Sequence, residues 1–173
     1  MRSPLRAAAA AAIALMAVLS ASCGKPSDES RIRELLERTV ALAEKKDAAG
    51  LRDLFTPDYR DFQGRDAEGT LKLITGYLDR YSHIVIHLLA ARVGGAGPDG
   101  LTSVECEVSL SHGAAEVLRR LIRYSGEYYS FRMDVRRDGR GEWRFTAAEW
   151  RSIGLVELSP EALAVLKKLF PGL

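Results

Sequence analysis

The chain has 173 residues, with 25 basic and 23 acidic side chains, a formal net charge of +2 and 47% hydrophobic residues. So even a balance, with no stretch in which arginines interleave with aromatics, excludes a nucleic-acid binder working through a concentrated basic face. The length suits one domain with a proper core and falls short of two.

Arg2 and Arg6 precede an uncharged run, Ala7–Leu19, and the small residues Ser20, Ala21 and Ser22 lead to Cys23. Thirteen uncharged residues match a secretory h-region, whereas a spanning helix needs about 20 apolar residues. The arrangement resembles a bacterial lipoprotein signal, in which the chain is cut before the cysteine and the cysteine is lipidated. An ordinary cleaved signal and an uncleaved anchor are the alternatives these residues leave open. The resemblance implies a signal over 1–22, a lipidated Cys23 opening a tether over 23–29, and one domain over 30–173. It also implies a cell-envelope location: Gly24, not being aspartate, directs such proteins to the periplasmic face of the outer membrane. One acyl chain anchors marginally at ~0.8 kcal/mol per buried methylene, so the several chains on such a cysteine hold stably. Six tether residues reach at most ~20 Å, which keeps the domain near the membrane. Without Arg2 and Arg6 the remaining chain carries 23 charges of each sign, and once Cys23 is lipidated only Cys106 remains, so no intramolecular disulfide is expected.

From Ser30 to Lys46, Ile32, Leu35, Leu36, Thr39, Val40 and Ala43 recur at helical steps, with Asp28 as the cap. Asp47 caps a short second helix burying Leu51, Leu54 and Phe55 and ending at Pro57. A third helix follows Asp66, with Leu71, Ile74, Tyr77, Leu78 and Tyr81 inward.

The period then changes to two. Ile84–Val93 is apolar on both faces apart from His87, as a strand covered on both sides would be. After a glycine-rich loop, Val104, Cys106, Val108 and Leu110 face inward, against Ser103, Glu105, Glu107 and Ser109 outward. Ala114–Tyr124 reads as a short amphipathic helix whose Arg119, Arg120 and Arg123 share one side, either a solvated face or a contact with anionic head groups. Tyr129, Phe131, Met133 and Val135 continue the inward alternation, followed by a turn into Trp143, Phe145 and Ala147. Ser159-Pro160-Glu161 opens a last helix.

Helices followed by antiparallel strands define an α+β domain with helices packed on one sheet face. The segment Leu54-Phe55-Thr56-Pro57-Asp58-Tyr59-Arg60-Asp61 before the third helix, and Gly141-Glu142-Trp143-Arg144-Phe145 in the last long strand, resemble the nuclear transport factor 2-like superfamily, which includes ketosteroid isomerase and SnoaL-like cyclases. The resemblance covers Ser30 to Ile153. It implies a cone in which N-terminal helices pack on the concave face of a curved antiparallel sheet around a pocket. The helix after Ser159 is extra.

Enzymes of that superfamily keep an acid/base carboxylate or histidine in the pocket, and Asp61 is the residue at the place matching their aspartate. Phe62 would raise its pKa, while Arg60 and Arg65 would lower it. A loop aspartate bonded to backbone N–H groups or an arginine is the alternative. Tyr59, Phe62, Tyr77, Tyr81, Tyr129 and Phe131 are candidates for the pocket wall. Glu149 faces inward by strict alternation from Trp143, but a β-bulge would turn Trp150 inward instead. His83 and His87, four apart in a strand, would lie about 13 Å from each other, too far to share a metal ion. No metal and no cofactor is expected. The expected function is a lipid-anchored, non-catalytic binding module for a small apolar ligand or an envelope protein partner. An isomerase- or cyclase-like enzyme using Asp61 is the alternative, and the resemblance also suggests a homodimer through the sheet.

Overall fold

The computed structural model describes residues 27–112 and 126–171. Cys23 with its signal, and the helix expected at Ala114–Tyr124 with its three arginines, lie outside the described residues.

Helix α1 spans Asp28–Glu44. Its cap is Ser27 rather than Asp28: Ser27 Oγ accepts the Ser30 N–H at 3.1 Å. Asp28 and Glu29 therefore sit in the first turn, where the helix dipole favours acids. Helix α2 is shorter than its apolar spacing suggests, Ala48–Arg52, capped by Asp47. Leu54 and Phe55 are not part of it. Phe55–Asp61 forms strand β1 at the edge of the sheet, where Pro57 is tolerated because a missing N–H there removes no central ladder bond. Helix α3, Ala67–Leu78, starts from Asp66, whose Oδ1 accepts the Gly69 N–H at 2.9 Å.

Strands β2 (Ile84–Ala96), β3 (Thr102–His112), β4 (Glu127–Arg137) and β5 (Trp143–Ile153) follow, then a 3₁₀ turn and helix α4 (Pro160–Leu169). The order across the five-stranded sheet is β1-β5-β4-β3-β2. The ladders from β2 to β5 are antiparallel, while β1 runs parallel to β5, so the curved sheet is mixed.

The sheet carries a core on each face. On the concave side, Val104, Cys106, Val108, Met133, Val135 and Phe145 pack against Ile32, Leu35 and Leu36 of α1 and Leu71 of α3. Alternation sends Tyr128 and Ile153 to the convex side, where α4 covers them with Ala162 and Leu166. Leu89 joins this second cluster through a bulge: Leu88 pairs with Val108 and Ala90 with Glu107, leaving Leu89 over. The double-sided apolarity of β2 is thus explained, because α1 lies on one side of it and α4 on the other. Ser109, read as solvent-facing, points to the convex side and is fully buried there between its ladder partners His87 and Tyr128.

Helix α4 is tied down at its start. Glu107 Oε2 accepts both the Ser159 N–H (3.0 Å) and its hydroxyl (2.8 Å), and Pro160 follows at the first helical position. The free edge of β2 is guarded by α1. Arg33 Nη2 donates to the Ala91 carbonyl at 3.0 Å, and Glu44 Oε1 accepts the Ile86 N–H at 2.8 Å. Such side-chain cover blunts an edge that would otherwise template pairing with another strand. No helix among the described residues is long and apolar enough to cross a membrane.

Candidate functional site

Between α1, α3 and the concave face lies a cavity of about 370 Å³. Leu36, Thr39, Val40 and Ala43 supply the α1 wall, and Leu73, Ile74, Tyr77 and Leu78 the α3 wall. The floor is sheet: Ile86 and Leu88 from β2, Cys106, Val108 and Leu110 from β3, Tyr129, Phe131 and Met133 from β4, Phe145 and Trp150 from β5. On β2, β3 and β4 each arrives by period-two alternation, and on β5 a bulge between Phe145 and Trp150 shifts the parity. The Thr39 hydroxyl is spent on the Leu35 carbonyl at 2.7 Å, so it adds little polarity. Arg80, exposed at the end of α3, is the charged residue among the lining, and Leu73 beside it in the wall is 44% exposed; the two mark the open rim. Among the described residues no acid and no histidine lines the cavity.

Of the eight residues proposed for the pocket wall, Tyr77, Tyr129, Phe131 and Trp150 line it. Trp150 does so because β5 bulges at Thr146: Asp134 pairs with Ala147 while Val135 pairs with Phe145. The same bulge turns Glu149 outward, where it is exposed. Phe62 is 51% exposed and meets the Trp150 ring edge-on at 4.9 Å from outside the cavity. Tyr59 is fully buried against Phe55, with ring centres 4.4 Å apart, and burial pushes its phenol up to about 12. Tyr81 packs on Tyr77 at 5.5 Å without entering the wall.

Asp61 is not in the lining either. Its side chain has no exposed surface, and its oxygens are fully engaged. Oδ2 accepts from Arg65 Nε at 2.6 Å and from the Thr70 hydroxyl at 2.9 Å. Oδ1 accepts the backbone N–H groups of Gln63 and Arg65, both at 2.9 Å. Burial would raise the carboxyl pKa, but the Arg65 guanidinium and these N–H and O–H donors outweigh it and hold it below the usual carboxylate range. A general base needs the opposite shift. Asp61 instead locks the turn between β1 and α3, in which Gly64 adopts φ +78°.

A polar group that the sequence reading missed stands behind the cavity wall, bonded to two of the lining tyrosines. Glu127 Oε2 accepts the Tyr77 hydroxyl at 2.6 Å and the Tyr129 hydroxyl at 2.7 Å. Glu127 lies two residues before Tyr129 at the start of β4, opposite Leu110, so alternation places both on the same face. That parity is the signal that could have found it. Burial first, then the neighbouring carboxylate, raises both phenol pKa values, so both hydroxyls keep their protons at neutral pH. Cys106 in the floor is equally quiet: burial pushes its thiol up to about 12. Among the described residues no three His, Cys, Asp or Glu side chains come together as a metal would require.

A mixed five-stranded sheet with helices and a cavity on its concave face is the nuclear transport factor 2-like, or cystatin-like, fold, and solved structures agree. A cystatin-like protein of unknown function from Nostoc punctiforme is 15% identical over 79% of this chain and 100% of its own, with a TM-score of 0.58. A nuclear transport factor 2-like protein of unknown function from Pseudomonas putida is 17% identical over 79% of this chain and 100% of its own, with a TM-score of 0.57. A candidate dehydratase of the same fold family from Streptomyces avermitilis is 14% identical over 72% of this chain and 94% of its own, with a TM-score of 0.56. At these identities the likeness is one of fold. No family model matches the chain, and no curated protein is detectably similar to it in sequence.

Proposed function

We propose that this chain is a non-catalytic binding module for a small apolar molecule, held at the envelope membrane by a lipid on Cys23. The observation that carries the reading is the cavity: about 370 Å³, walled by aliphatic and aromatic side chains, with no acid or histidine in its lining. That volume lies in the range of small-molecule sites, roughly 300–1,000 Å³. Acid/base chemistry needs a titratable group within hydrogen-bond reach of the substrate. The alternative of an isomerase- or cyclase-like enzyme gives that role to Asp61, whose oxygens are already taken by Arg65, Thr70 and two backbone N–H groups. The second half of the binding reading, an envelope protein partner, would use the outer surface. A homodimer through the sheet would have to form beside α4, where the convex face carries opposed charges such as Glu105 and Arg132 at 3.3 Å.

Two measurements test the proposal. Nile red, an apolar dye that brightens out of water, should bind the domain with micromolar or better affinity. Val40→Trp, which places an indole in the α1 wall of the cavity, should weaken it by about tenfold or more, in proportion to the apolar contact removed. A dye that stays dark, or one that ignores Val40→Trp, removes the cavity as the binding site. For the anchor, the wild-type protein should sediment with outer membranes of its host and Cys23→Ser should be released to the soluble fraction. Equal sedimentation of the two would show that the lipid is not what holds it.

A further inference from the structure

We infer that the cavity selects an apolar molecule bearing a neutral hydrogen-bond donor, an alcohol or a phenol, and discriminates against the matching ketone. The inference deepens the apolar-ligand reading and rests on it. Its basis is the direction of the hydrogen bonds at the polar spot that Tyr77 and Tyr129 form in the wall.

A tyrosine hydroxyl has a single proton and two lone pairs. Tyr77 and Tyr129 both line the cavity, and both give that proton to Oε2 of Glu127, at 2.6 and 2.7 Å. A carboxylate acceptor makes these charge-assisted bonds, the strong kind, so a ligand does not easily divert the protons. Tyr77 also shares a hydrogen bond with the Tyr81 hydroxyl behind the wall, so what the pair has left to offer a ligand, chiefly at Tyr129, is lone pairs. A ligand hydroxyl can donate to them; a carbonyl placed at the same point brings lone pairs against lone pairs. The remaining lining offers a ketone no compensation: the Thr39 proton is committed to the Leu35 carbonyl. Arg80 is exposed at the rim, where a guanidinium bonds water as readily as ligand. A cationic donor would have to shed its water among apolar wall residues, facing a Glu127 oxygen already shared by two hydroxyls, and this disfavours it against a neutral donor.

The test is displacement of Nile red from the whole domain by octanol, by its near-isosteric methyl hexyl ketone and by octylamine, for the wild type and for Glu127→Leu. Removing the acceptor frees both tyrosine protons to donate into the cavity. Dividing the alcohol-to-ketone affinity ratio of the wild type by that of the variant cancels the different hydrophobicity of the two compounds. A hydrogen bond of ordinary net worth makes this quotient about fivefold or more in favour of the alcohol in the wild type. A quotient of one, or one favouring the ketone, overturns the inference while leaving the apolar-ligand reading intact. Octylamine displacing the dye more tightly than octanol also overturns it, because charge rather than a neutral donor would then be recognised. If Glu127→Leu does not fold, Tyr129→Phe replaces it, with the quotient again expected above one in favour of the alcohol in the wild type. A dye that fails to bind the wild type at all defeats the apolar-ligand reading, and the inference with it.

Discussion

Asp61→Ala should destabilise the domain by about 3 kcal/mol at neutral pH, measured by urea unfolding. Breaking a buried ion pair from one side typically costs about 3–5 kcal/mol, because the partner is left uncompensated. Here the partner is not trapped: the Arg65 side chain is 29% exposed and can turn to water, which places the cost at the low end. The Thr70 hydroxyl is nearly fully buried and loses its acceptor outright, as do the N–H groups of Gln63 and Arg65 in the turn. Asp61→Asn keeps the shape but points an amide N–H₂ at a guanidinium, and should cost about half as much.

The pH dependence separates this structural role from a catalytic one. The folded-state pKa of Asp61 lies below its unfolded value, about 3.9. Above that value both states are ionised and the stabilisation is present in full. As the pH falls, the unfolded chain takes up the proton first, so the stabilisation declines and is lost through the folded pKa. The gap between wild type and Asp61→Asn should therefore stay constant from pH 8 to about pH 5 and close below about pH 4. A gap that instead widened as the pH fell through neutrality, with the wild type gaining stability over Asp61→Asn, would mean a raised pKa, the mark of a general base, and would return Asp61 to the enzyme reading.

What was legible in the sequence follows from which interactions are local. Helical spacing shows α1 and α3, and the alternation Val104, Cys106, Val108, Leu110 shows the face of β3 that forms the cavity floor. Strand β1 was not legible, since Pro57 also reads as a helix stop and the parallel partner of β1 lies far along the chain in β5. Glu149 and Trp150 could not be told apart, because a bulge reverses every later side chain of β5 and its cause is pairing with β4. The location of Asp61 beside Arg65 was visible, but not that Thr70 and two backbone N–H groups complete its shell, which needs the turn and α3 in place. Glu127 was legible by parity with Tyr129. Its pairing was not, because its tyrosine partner Tyr77 comes from a distant helix.

Leu166→Ala should also cost about 3 kcal/mol, and the manner of the loss is informative. Leu166 is 1% exposed at the centre of the α4 interface, with Leu89, Tyr128, Ile153, Leu158 and Ala162 around it. Truncating a buried leucine to alanine costs about 2–5 kcal/mol, depending on how far the site collapses. This cluster lies on the convex face, and the cavity on the concave one, with the β-sheet between them. The backbone ladder joins the two, but their side chains belong to separate packed groups. Amide exchange should therefore quicken in α4 well before it does in β3 and β4, as a sub-global opening would produce. Nile red affinity should change by less than about twofold, because α4 contributes no residue to the cavity. A large fall in affinity would mean that α4 sets the curvature of the sheet, and with it the width of the cavity. The helix would then be part of the binding site in energy though not in contact.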